Sequence, residues 1–133
     1  MANKAVIAFG PFRDFIADGV RMGDTIRLSG AVSVDEKGQT LHAGDIVNQA
    51  RQAYAHVEKV LKKFGATMND IASETLYVTD MSAVVGDQEK MSAFFEARAE
   101  AYGGNPQVSQ SLIGVAELVA PDLMIEIVVV AHV

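Results

Sequence analysis

The chain predicts an α+β domain in which a single sheet carries two helices on one face. Three observations lead there. Two segments, beginning near Ile46 and Ser82, repeat apolar residues in steps of three and four, the period of a helix. Shorter runs before, between and after them are strand-like in composition and bounded by turn residues. No linker, charge run or low-complexity stretch divides the 133 residues, so residues 1–133 read as one domain.

Phe15 to Ser29 reads as two strands turning at Gly23-Asp24, a pair suited to a tight hairpin. In the second, Ile26, Leu28 and Gly30 share one face, while Thr25, Arg27 and Ser29 share the other. Ala31 to Val34 follow, and Asp35-Glu36-Lys37-Gly38 is a turn cluster. Asp45 is placed to cap a helix whose apolar stripe is Ile46, Ala50, Ala53, Val57, Val60 and Phe64, and Gly65 ends it. Ile71 to Thr79 reads as a strand. A second helix is expected from about Ser82 to Tyr102, its stripe carried by Met91, Phe94, Phe95 and Tyr102, with Gly103-Gly104-Asn105-Pro106 as the stop. Two strands, about Val108 to Leu118 and Leu123 to Val130, complete the order β-β-α-β-α-β-β. Two helices cover only one face of such a sheet. Strands apolar on both sides leave the second face in need of cover, which a homo-oligomer packing sheet against sheet supplies.

Composition narrows the partners. Eleven Lys and Arg against 17 Asp and Glu give a net charge of −6, and the only adjacent basic pair is Lys62-Lys63. An acidic surface repels phosphate backbones, so nucleic acid is not an expected partner. The longest apolar run is far short of a membrane span, and Met1-Ala2-Asn3-Lys4 leads into no signal-peptide core. A chain without cysteine has no disulfide or thiol nucleophile and fits a reducing cytoplasm, the expected location. His42, His56 and His132 show no metal-ligand spacing, and no glycine-rich phosphate loop is present. Neither metal nor cofactor is expected; the expected partner is a small molecule.

Glu126 is the residue that stands out. It interrupts Leu123-Met124-Ile125-Glu126-Ile127-Val128-Val129-Val130-Ala131, a run apolar on both strand faces. A carboxylate there needs a partner, a shifted pKa or an opening onto a cleft. It is either a satisfied structural carboxylate or a functional one.

With that layout the chain resembles the Rid family, the reactive intermediate deaminases also called YjgF or L-PSP proteins. The resemblance rests on an ordered set over roughly residues 15 to 131: Gly23-Asp24-Thr25-Ile26-Arg27-Leu28-Ser29-Gly30, Gln49-Ala50-Arg51-Gln52, Ser92-Ala93-Phe94-Phe95-Glu96, Val115-Ala116-Glu117-Leu118 and Ile125-Glu126-Ile127. It implies a chorismate-mutase-like fold and a homotrimer, with sheets lining a central barrel and clefts between neighbouring subunits. It also implies hydrolysis of imines and enamines derived from amino acids, releasing ammonia without metal or cofactor.

This chain departs from the family pattern at several places. The arginine that clamps the substrate carboxylate corresponds to Gln110, the first-strand tyrosine to Ile16, and an aromatic residue ahead of the Phe-Phe pair to Met91. Ser29-Gly30, whose backbone helps hold the carboxylate, and Glu126 are kept. Exchanging arginine's charged fork for a neutral amide loses on the order of 1 kcal/mol or more, so a 2-imino acid is expected to bind poorly. Glu126 is the expected catalytic residue, positioning and activating water. The backbone carbonyl of Leu112, matching a family cysteine, is a second holder of that water. Gln110 and Ser111 hydrogen-bond a neutral ligand or satisfy their own strand. Arg98, on the stripe of the second helix, either replaces the missing clamp or lies over the stripe. A metal-free imine or enamine hydrolase with altered substrate preference is thus expected; the alternatives are a non-catalytic trimeric metabolite-binding module and, third, an L-PSP-type endoribonuclease or translation inhibitor.

Overall fold

The computed structural model describes residues 3–133; Met1 and Ala2, where a leader was sought, lie outside them. Seven strands form one mixed sheet: β1 (Lys4–Ile7), β2 (Gly19–Met22), β3 (Thr25–Leu28), β4 (Ala31–Val32), β5 (Ile71–Val78), β6 (Ser109–Gly114) and β7 (Ile125–His132). Their order is β1-β2-β3-β7-β5-β6, with β4 also paired to β7. The helices are α1 (Ile46–Lys63), the single turn α2 (Ser82–Val85) and α3 (Gln88–Ala101).

The hairpin turns at Gly23-Asp24 as expected, with Met22 facing Thr25 and Gly23 at φ 58°, a value glycine adopts freely. Helix α1 begins where the Asp45 carboxylate accepts the Asn48 N–H at 3.1 Å. It ends in a Schellman motif: Gly65 at φ 76° lets its own N–H reach the Lys62 carbonyl at 3.0 Å while Ala66 N–H reaches Leu61 at 2.9 Å. Its stripe of Ile46, Ala50, Ala53, Val57, Val60 and Leu61 is buried against Ile125, Ile127, Val129 and Ala131 of β7 and the core residues of β3 and β5. Each large aliphatic side chain sealed there contributes about 1.5–3 kcal/mol.

Four features differ from the sequence reading. The first hairpin strand begins at Gly19 instead of Phe15, because the Phe15 and Ile16 N–H groups both turn back to the Phe12 carbonyl at 2.9 Å. The second helix is broken: α2 stops at Gly86, and Asp87 starts α3 by accepting the Lys90 N–H at 2.8 Å. Periodicity alone does not register an internal cap. The penultimate strand ends at Gly114 instead of Leu118, because its parallel partner β5 ends at Val78 and the last contact is Val115 N–H to the Val78 carbonyl. Strand β1 was not anticipated; it is a four-residue, largely exposed edge with little core pattern to read.

Alternation along β7 sorts the sheet into two faces. Ile125, Ile127, Val129 and Ala131 lie under the helices, while Glu126, Val128 and Val130 lie half-buried on the other face beside Tyr77, Thr75 and Ser73 of β5. Among the described residues no helix lies over that second face.

Candidate active site

Glu126 owes its setting to an irregularity in β3 and β4. Arg27 pairs with Val130 and Ala31 pairs with Ile127. Leu28, Ser29 and Gly30 therefore oppose only Val128 and Val129, one extra residue and so a β-bulge, a device that bends a strand and re-aims its side chains. Gly30 sits in that bulge against the Glu126 side chain; a Cβ there would collide with its Cγ and Cδ at 2.7 and 2.5 Å. Glycine is what admits the carboxyl group.

Its cross-strand neighbours are Val32 and Tyr77. Among the described residues no donor or cation offsets its burial, and burial alone pushes its pKa above the usual glutamate value. It faces a cleft of about 910 Å³, whose walls include Phe9, Pro11, Phe12, Ile16, Val32, Val34 and Val119. Ser29 and Gly30 line it too, although the Ser29 hydroxyl is spent on the Ala17 carbonyl at 2.6 Å. Ile16, Ser29, Gly30 and Glu126 are thus brought together. The arrangement offers a proton-exchanging carboxyl in a pocket whose walls mix these apolar side chains with charged ones, among them Arg13, Asp35, Glu36, Lys37 and Lys59.

The other expected site residues lie elsewhere. Gln110 pairs with Glu74 across β5 and β6, and Glu74 and Tyr77 point to opposite faces, so Gln110 and Glu126 do also. The Gln110 amide donates to Glu74 Oε2 at 2.8 Å. Arg98 Nε donates to the same oxygen at 2.6 Å, with only 12% of its side chain exposed. Within the chain both groups are engaged by Glu74; for Arg98 this matches the second of its two expected readings, a side chain over the stripe with its head on a carboxylate. Leu112 packs against the core, Ser111 is exposed on the face shared with Glu126, and Met91 is half-buried on α3; none of the three lines this cleft.

Glu74 was missed. It is 2% exposed, and beside Arg98 and Gln110 it accepts the Tyr54 hydroxyl at 2.9 Å and the Tyr102 hydroxyl at 2.6 Å. Burial, and then the carboxylate beside them, push both phenols far above their ordinary pKa. Arg98 is pulled down by burial, but Glu74 outweighs this and holds its pKa above the usual value. The sequence did carry a signal: Glu74, Leu76 and Val78 share one strand face, and the last two mark it as the core face.

A second group on the cleft wall was also missed. His56 of α1 places Nε2 3.0 Å from Asp18 Oδ1. The other Asp18 oxygen accepts the Phe9 and Gly10 N–H groups at 2.7 and 2.9 Å. Burial opposes ionisation of Asp18, but those two backbone bonds and His56 prevail and hold its carboxyl below the usual range. A separation of 38 residues puts this pair beyond any spacing rule.

The comparisons with known proteins agree with this fold. Residues 5–133 match the family model described as endoribonuclease L-PSP. A 2-iminobutanoate/2-iminopropanoate deaminase from Dermatophagoides farinae is 26% identical over 109 residues, 82% of this chain and 76% of its own length. A RutC family protein from Pyrococcus horikoshii is 28% identical over 123 residues, 92% of this chain and 87% of its own. Among solved structures, a member of the YjgF/YER057c/UK114 family from Mycobacterium tuberculosis superposes with a TM-score of 0.78 at 27% identity, covering 98% of this chain and 100% of that one. A Rid family protein from Yersinia pestis, 22% identical, superposes at 0.83 over 98% and 100% of the two chains and bears on the fold alone.

Proposed function

The chain belongs to the endoribonuclease L-PSP family, and we propose that it hydrolyses small imines or enamines to ammonia and a carbonyl compound, in clefts completed by neighbouring copies in a homotrimer. The observation that carries this reading is Glu126: a half-buried carboxyl with raised pKa, unpartnered among the described residues, lining a cleft. Such a group takes a proton from water more readily than an ordinary glutamate does and returns it later in the cycle. The deaminase name of the Dermatophagoides farinae relative supports the reaction class.

Substrates without a carboxylate fit best. The position of the family's clamping arginine is Gln110, whose amide Glu74 already engages. Among the described residues no helix covers the sheet face bearing Val128, Val130 and Tyr77, which supports a trimer packed through that face. No helix among the described residues is long and apolar enough to cross a membrane; a cytoplasmic setting belongs to the same proposal.

The commitment of both Gln110 and Arg98 to Glu74 also favours a second reading, a trimer that binds a metabolite without turnover. Ribonuclease action fits poorly with a net charge of −6. The deciding experiment supplies purified protein with 2-imino acids and carboxylate-free ketimines generated in situ by oxidases, and follows ammonia. Release that Glu126→Gln lowers at least ~10²-fold supports the hydrolase; none from any substrate, with a metabolite co-purifying, supports the binding module. Light scattering should give three times the 14.2 kDa chain, and a monomer would contradict the trimer.

A further inference from the structure

We infer that His56, held by Asp18, is a second proton-exchanging group of this cleft, a catalytic residue alongside Glu126. The inference rests on the imine-hydrolase reading. Three observations carry it. First, the pair is built: Asp18 is fixed by two backbone N–H groups on one oxygen and offers the other to His56 Nε2. A carboxylate on Nε2 takes the Nε2–H, which leaves Nδ1 to exchange a proton with a ligand. Second, the ring lines the same cleft as Glu126, is partly exposed, and packs 5.6 Å from the Phe9 ring at a 30° tilt. Third, the two groups share one short piece of backbone. Ser29 N–H donates to the Asp18 carbonyl at 3.0 Å, and the next residue, Gly30, touches the Glu126 carboxyl.

Imine hydrolysis needs two proton movements in each half-reaction, and two groups supply them. As water oxygen bonds to the imine carbon, Glu126 takes a water proton and His56 Nδ1 gives one to nitrogen, forming a neutral carbinolamine. In its collapse Glu126 gives its proton to nitrogen, the C–N bond breaks and ammonia leaves. The hydroxyl proton passes to Nδ1 as the carbonyl forms, which restores both groups. No redox partner is needed.

His56→Ala, Asp18→Asn and Glu126→Gln are assayed beside the wild type for ammonia release from the imine panel, with thermal unfolding as the folding control. His56→Ala is expected to lose about 10²-fold or more in kcat with little change in KM. Free imidazoles should restore part of the rate, in proportion to their pKa, which filling a vacated space would not do. Asp18→Asn keeps the Phe9 and Gly10 bonds through its oxygen but turns an NH₂ toward Nε2, removing the acceptor that Nε2–H requires; a loss of ~10-fold or more is expected. Should His56→Ala fail to fold, Asp18→Asn decides. Wild-type activity that Glu126→Gln abolishes but the folded His56 or Asp18 variant retains in full overturns this inference alone, as does a loss that imidazoles do not restore. If the wild type releases no ammonia, or Glu126→Gln is as fast, the hydrolase reading falls and takes this one with it.

Discussion

Glu74 and Glu126 lie on adjacent strands of one sheet, one fully buried and the other half-buried, and have opposite surroundings. Glu74 faces the helices and accepts from Tyr54, Tyr102, Arg98 and Gln110. Glu126 faces the cleft, and burial acts on it without any such offset. The first is structural, its desolvation repaid by four donors, one of them the cation Arg98. The second keeps the cost of burial as reactivity. What most separates the two carboxylates is the number of donors each is given.

The widest gap between the two should appear when each is removed. Glu74→Ala leaves Arg98 and two phenols inside with no acceptor, and is expected to cost about 3–5 kcal/mol in urea unfolding. Removing one donor costs less: Tyr102→Phe should lose about 1–2 kcal/mol. A loss near that of Glu74→Ala would mean that the network does not share its load. Gly30→Ala sharpens the other side. Its Cβ must displace a flexible carboxyl, so stability should fall by only about 1 kcal/mol while ammonia release falls ~10-fold or more. Unchanged release would show that the bulge does not aim Glu126.

The smallest effect has the opposite sign. A raised folded-state pKa means that ionising Glu126 opposes folding, so its contribution is fullest below the ordinary value of 4.5 and is lost as pH rises through the folded value. Glu126→Gln does not titrate. Its melting temperature should exceed that of the wild type at pH 7–8 by on the order of 1–3 °C, with the gain vanishing below the ordinary value. A lower melting temperature at pH 8 would show that Glu126 has a stabilising partner.

Much of the fold was legible because its devices are local. The Asp45 cap, the Gly65 stop, the Gly23-Asp24 turn and the stripe of α1 each lie within a few residues of what they control. Glu126 was legible for a related reason, a charge inside an unbroken apolar run. Glu74 was legible only in part: alternation puts it on the face of Leu76 and Val78, but the donors that offset its burial come from residues 20 to 36 positions away. The fates of Arg98 and Gln110 were hidden with it, since both depend on a carboxylate 24 and 36 residues away. The pairing of Asp18 with His56 and the bulge at Ser29-Gly30 come from how strands and helix meet, which no spacing in the chain encodes.

The contrast rests on the titration of Glu126, and a residue-resolved ¹³C NMR titration of its side-chain carboxyl, assigned with Glu126→Gln, tests it most directly. A midpoint clearly above 4.5 is the expected result. A midpoint at or below that value would mean that Glu126 is as well served as any structural carboxylate, and the reactivity assigned to it would have no physical basis.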